Sequence, residues 1–301
     1  MVFVGMRQIL LSTLFLCSLS PMTMAALTKD VFCLEVFQVA DPSSQEIQSL
    51  LVDVDRYIGE RLQAPPIVTT AEYSLMELIP GVYFYRFDKQ SESAPTFMRI
   101  QEHFESPEFR GKVFSQAEYE AWYKTTNEDG VFSYYTDWSG FNFPSYVLDA
   151  FYDGRFTEIT ARERRVLDAF RRKHQRGEKF YVIGTSRHRT NTDQKPMTAQ
   201  QARERELVVT RHEIAHAMYY RIPEYRQAVD EVLLTIPPKF KAKLYDFLSN
   251  SGGYHDSVLQ DELHANLVAN WNMLYKKGVD YAEVTPQIVR LIKIYRRHLL
   301  P

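Results

Sequence analysis

From Val208 to Tyr220 the chain reads VVTRHEIAHAMYY, with His212 and His216 four residues apart around Glu213 in an apolar setting. On an α-helix residues i and i+4 lie one above the other, so both imidazoles can point at one place in space. Glu213 is rotated about 100° from His212, as 3.6 residues per turn require, and lies beside that place. Neighbours this apolar imply a buried helix, with Leu207, Ile214 and Met218 carrying the burial and the polar face lining a cleft floor. Either a metal is held on that face, or the chain has a core helix that contains two histidines.

The totals leave room for such a helix. The 301 residues are 45% hydrophobic and 25% charged, the balance of a globular protein with a core of ordinary size. A net charge of −2 gives no electrostatic reason to expect nucleic acid, because phosphate binding needs clustered excess Lys and Arg. One basic run, RRKHQRGEK from Arg171 to Lys179, reads as the charged end of a surface helix.

The first 25 residues read as a secretory signal: Arg7, then the apolar stretch Ile9 to Leu19, then small residues around Thr23-Met24-Ala25. The apolar part is too short to span a bilayer. Mature protein is expected to start near Ala26 and to be exported, periplasmic or secreted, with no stable membrane insertion. MVFVG ahead of the basic start makes Met6 a second candidate initiator. Cys17 follows Phe15 and Leu16, where a lipoprotein signal takes small residues, so soluble export is expected. Only Cys33 then remains, so no intramolecular disulfide can form.

Periodicity gives an α+β chain: a mixed N-terminal region, 26–190, followed by a mainly helical region, 191–301, that carries the motif. Ile47, Leu50, Leu51, Val54 and Ile58 fall on one helical stripe. Val82 to Asp88, Gly130 to Asp137 and Lys179 to Arg187 read as strands, with a polar loop and seam over Ser186 to Met197. Gly140 and Pro144 read as backbone breaks in an aromatic cluster. Ser115 with Glu118, Thr160 with Glu163 and Thr198 with Gln201 have the spacing of capping boxes. Later helices are expected at Pro223, at Pro238, near His255 and at Pro286, with Thr285 as cap.

Around the motif the sequence resembles the extended pattern of zinc metallopeptidases. Val209 and Thr210 precede the first histidine, Ile214 and Ala215 lie between the two, and Ala217 and Met218 follow, so each restricted position fits. One group of these zincins takes a third ligand six residues after the second histidine, with a glycine between. Here those places hold Ile222 and Tyr219, which excludes it. The other main group takes a glutamate from a downstream helix, and DELHAN, Asp261 to Asn266, is similar to its ligand segment. The resemblance covers Glu206 to about Asn272.

It implies one Zn²⁺ held by His212, His216 and Glu262, with Glu213 as general base and Asn266, one turn after Glu262, hydrogen-bonding a ligand histidine. Asp261 and His264 point about 100° before and 200° beyond Glu262 and read as outer or surface groups. His255 lies on the same face roughly 10 Å away along the axis, a distance suited to substrate. Tyr254 and His255, after Gly252-Gly253, are the candidates for stabilising an oxyanion, with Tyr275 and Tyr281 as rivals. Lys179 to Arg187 is expected to be the edge strand on which an extended peptide pairs. The implied activity is hydrolysis of a peptide or protein substrate. A zinc amidase acting on cell wall or another non-protein amide, and a non-catalytic binding protein, are the alternatives.

Overall fold

The computed structural model describes residues 42–127, 129–138, 140–188, 198–252, 254–271 and 281–301. The expected leader, Cys17, Cys33, Tyr275 and most of the 186–197 loop lie outside them, as does the side chain of Tyr281.

Five strands form one sheet. β1 (Val68–Thr69), β2 (Tyr73–Ile79) and β3 (Val82–Lys89) follow in order, then β5 (Tyr181–His188), with β4 (Gly140–Pro144) at the far edge. β3 and β5 run parallel, and every other pair is antiparallel. Side chains alternate faces along a strand, so each sheet face carries its own core. On one face Tyr83, Tyr85, Phe87, Phe141, Phe143 and Val182 pack with Phe97 and Ile100 of α2 (Gln90–Glu105) and Phe170 of α6 (Ala161–Lys173). Gly184 of β5 is needed there, because a Cβ would run into the Phe97 ring. On the opposite face Met76, Leu78, Phe84, Tyr181 and Ile183 pack against α1 (Pro42–Arg61) and α7 (Ala199–Arg221).

α3 (Gln116–Thr126), the single turns α4 (Tyr134–Asp137) and α5 (Asp149–Tyr152), and α6 complete the first half. α8 (Pro223–Leu233), α9 (Pro238–Gly252), α10 (Leu259–Ala269) and α11 (Thr285–Leu299) follow α7. The chain is therefore α+β as expected, with the sheet in the N-terminal half and helices beyond it. All three capping boxes form, at Ser115, Thr160 and Thr198. The stripe Ile47, Leu51, Val54 and Ile58 is buried on α1. Among the described residues no helix is long and apolar enough to cross a membrane.

Three expectations change. Gly130 to Asp137 is not a strand: Thr136 Oγ1 donates to Ser133 O at 2.8 Å and Ser133 Oγ to Asp137 Oδ2 at 2.6 Å, closing the α4 turn locally. The strand forms instead over Gly140–Pro144, where glycine and proline read as breaks, because an edge strand tolerates proline. Thr285 is the first residue of α11, and Val284 takes the cap position. The hydrophobic core runs across residue 190, with α1 packed on α11 and α7.

One ion pair ties the first face together. Arg99 of α2 meets Glu163 of α6 through Nε–Oε1 at 2.7 Å and Nη2–Oε2 at 2.5 Å, with side chains only 3% and 2% exposed. Arg99 also donates to Phe114 O and Glu158 O. Removing one partner of a buried pair strands the other charge. Arg99→Met should therefore destabilise the fold by about 3–5 kcal/mol in denaturant unfolding, whereas a loss below about 1 kcal/mol would place the pair among ordinary surface bridges.

Candidate metal centre

α7 runs unbroken for 23 residues, capped by Thr198 and free of proline and glycine. Its stretch Thr210 to Met218 is wholly buried between the sheet, α1 and α10. Arg211, at a position left free by the motif, anchors it there. The guanidinium pairs with Asp55 Oδ1 of α1 at 2.5 Å and donates to Ala269 O of α10 at 3.0 Å, while Tyr295 OH of α11 donates to Arg211 O at 3.2 Å. Arg86 of β3 ion-pairs with Glu206 near the start of α7, which fixes the helix against the sheet.

With α7 and α10 packed together, the expected ligands converge. His212 Nε2 and His216 Nε2 are 3.0 Å apart. Glu262 places Oε2 3.7 Å from the first and Oε1 3.4 Å from the second. One donor atom from each of the three residues lies within 4.8 Å of the others, and all three are buried. Two imidazole nitrogens and a carboxylate facing one point can hold a metal ion. The carboxylate supports that fit, because Glu262 Oε2 is buried with no hydrogen-bond partner of its own.

The outer partners differ from the expectation. Asn266 does not reach a ligand: its Nδ2 donates to Glu262 O at 2.8 Å, one turn back on its own helix, and its Oδ1 has no partner. Asp261 serves His216 instead, with Oδ1 2.9 Å from Nδ1, and also faces His264 Nδ1 at 3.1 Å. Helical angle placed Asp261 off the ligand face, and a group behind an imidazole belongs there, outward from the metal. Asn270 serves His212, with its amide 3.4 Å from Nδ1. Turning that amide, whose Oδ1 is unpartnered, lets Oδ1 accept the Nδ1 proton and leaves Nε2 free to bind. Asn270 lies two turns after Glu262, so the signal was the same helical spacing carried one turn further.

Glu213 is buried beside the ligands, and its Oε2 has no hydrogen-bond partner. Burial, with Glu262 and Asp261 adding to it, pushes its carboxyl above the usual range against the pull of the two histidines. Edge strand β4 passes it closely: a Cβ on Gly140 would stand 3.5 Å from Glu213 Oε1. β5, expected to be that edge, is interior, hydrogen-bonded to β3 and β4. Tyr254 is brought to the site, where burial first and then Glu262, Glu105 and Glu213 keep its phenol protonated. His255 caps a short 3₁₀ turn, its Nδ1 accepting from Ser257 N at 3.2 Å. Glu105, at the end of α2, was not signalled by the sequence. Burial, then Glu262, raises its carboxyl well above the ordinary range.

Comparison with family models, curated proteins and solved structures finds no match, so the site rests on its own geometry.

Burial alone would lower the His216 pKa, but Asp261 and Glu262 outweigh it and hold the imidazole at about 10. A metal must then displace a proton from His216 at neutral pH. Proton competition weakens as pH rises, so apparent metal affinity should climb by up to about tenfold per unit between pH 6 and 8. Chelator competition across that range measures it, and a flat profile would remove His216 from the ligand set.

Proposed function

We propose that this chain is a zinc-dependent metallopeptidase, exported by its N-terminal leader. The observation that carries the reading is the convergence of His212, His216 and Glu262 at one buried point with Glu213 alongside. Two neutral imidazoles and one carboxylate are a zinc ligand set that leaves a position open for chemistry. Bound there, zinc would supply Lewis acidity and bring the pKa of water towards neutrality.

The chain's own residues do the rest. Glu213 has a raised pKa and an unpartnered oxygen, so it can take a proton and give it back to a leaving amine. Tyr254 keeps its phenolic proton, which is shared with Glu262, and would have to turn it from that carboxylate to meet a developing oxyanion. Asp261 and Asn270 fix the two imidazoles with Nε2 turned inward. The passage of edge strand β4 beside Glu213 favours an amide in an extended backbone over a compact substrate, because a peptide can pair with a strand edge. The basic run gives no counterweight: Arg176 pairs with Asp149 and Asp153, and Lys173 with Glu77.

Elemental analysis of purified protein should give about one zinc per chain, in keeping with a single three-ligand site. His216→Ala and Glu262→Ala should lose it. Glu213→Gln should keep the metal and lose about 10²-fold or more of its hydrolysis of an unstructured protein, the usual scale of a general base. Folded, zinc-supplied wild type without metal would return His212 and His216 to the status of core residues. Zinc with activity on cell wall alone would favour the amidase.

A further inference from the structure

The free edge of β4 offers little backbone to an incoming chain. Ser145 N donates to Phe180 O at 2.9 Å, which puts Ser145, Phe143 and Phe141 in the hydrogen-bonded register with β5. The alternate residues, Gly140, Asn142 and Pro144, therefore turn their polar groups to the open side. Pro144 has no N–H to give. The Asn142 N–H is taken by Gln101 Oε1 of α2 at 2.9 Å, and Gln101 Nε2 donates in turn to Glu105 Oε1 at 2.5 Å. That leaves Gly140, beside Glu213, as the donor position that a substrate can use.

The closed end and the open end have a direction. β4 runs from Gly140, next to the general base, to Pro144. A peptide adding antiparallel to it, as β5 does on the other side, points its N-terminal part towards Asn142 and Pro144. There the edge is blocked by a side-chain amide, and a carboxylate stands behind it. Resting on the peptidase reading above, we infer that the site is an exopeptidase, taking the N-terminal end of a peptide with Glu105 meeting the α-ammonium group. A chain continuing past that point would have to displace Gln101 and leave Glu105 facing backbone.

The electrostatics agree. Glu105 is outside the three-residue ligand group and reaches the strand edge through Gln101, whose Oε1 takes the Asn142 N–H and whose Nε2 donates to Glu105. A half-buried acid among acids gains most from a neighbouring cation. The α-ammonium of a substrate is the cation that arrives with each turnover.

Two peptides of one sequence, one with a free N-terminus and one N-acetylated, test this with zinc-loaded protein. Mass spectrometry should find residues released from the free N-terminus, and acetylation should lower kcat/KM at least about tenfold, as loss of a buried charge contact does. Glu105→Gln should raise KM for the free peptide and shrink the difference in kcat/KM between the free and the acetylated one. Gln101→Ala, which frees the Asn142 N–H, should raise cleavage of the acetylated peptide about fivefold, the worth of one backbone hydrogen bond. Calorimetry with inactive Glu213→Gln protein should find the free peptide bound at least about tenfold more tightly. Internal cleavage of both peptides at one rate, equal binding of the two, or no gain in Gln101→Ala would overturn the exopeptidase and leave the peptidase standing. Zinc-loaded protein that neither binds nor cleaves either peptide would remove both.

Discussion

Arg211 holds the molecule together at the place where the site is built. Its side chain is buried one residue before the first ligand histidine, and it ties α7 to Asp55 of α1 and to the last carbonyl of α10. Its own carbonyl receives Tyr295 of α11. A buried guanidinium must be paired and hydrogen-bonded, because desolvating it otherwise costs several kcal/mol. Satisfying Arg211 therefore fixes how three helices meet α7. That meeting sets Glu262 3.4 to 3.7 Å from two imidazoles that lie 50 and 46 positions before it in the chain, on another helix. Ligand geometry is thus a by-product of helix packing, and no ligand has to bend the backbone to reach its place.

The two sheet faces divide the labour. The aromatic face under α2 and α6 is closed by Arg99 and Glu163 and contributes rigidity, while the other face receives α7. β4 serves both. Phe141 and Phe143 bury into the aromatic core, and between them Asn142 turns to the α7 side, where Tyr181 OH donates to its Oδ1 at 2.6 Å. Strand alternation alone thus puts a well-packed edge directly over the catalytic candidates.

What the sequence made legible was whatever a local period encodes. His212, Glu213 and His216 followed from helical spacing, and Glu262 from the resemblance of a short segment. The capping boxes followed from side-chain pairs one turn apart. What it hid was set by the other side of a contact. β4 escaped because Gly140 and Pro144 signal breaks when read alone, and only its position at a sheet edge makes both acceptable. Gly130 to Asp137 misled in the opposite sense, its aromatics being strand-like while Ser133, Thr136 and Asp137 close a turn. Asn266 came from the same resemblance, four residues after Glu262, whereas the group standing behind an imidazole here is Asp261. Glu105 had no sequence signal, since its side-chain partner, Gln101, is an ordinary i, i+4 neighbour and the acids that act on it come from α7 and α10.

The balance of charge around the ligands gives the arrangement its chemical sense. Glu213 and Glu262 are buried, and Asp261 and Glu105 half-buried, around two ligand imidazoles. Carboxylates so close cannot all ionise in a low-dielectric site without cations. The responses are already visible: Glu213 and Glu105 are pushed towards their neutral forms, while His216 is drawn towards its charged form. Asp261 is the exception, held below the usual carboxylate range by His216 and His264 against the opposing effect of burial. A divalent cation bound by His212, His216 and Glu262 would replace the proton on His216 and relieve the acids around it. Glu213 would then be drawn back towards its ionised form, the form that can take a proton. The same acids that make the fold costly to assemble are what make a cation welcome, and their removal one at a time should weaken metal binding before it weakens the fold.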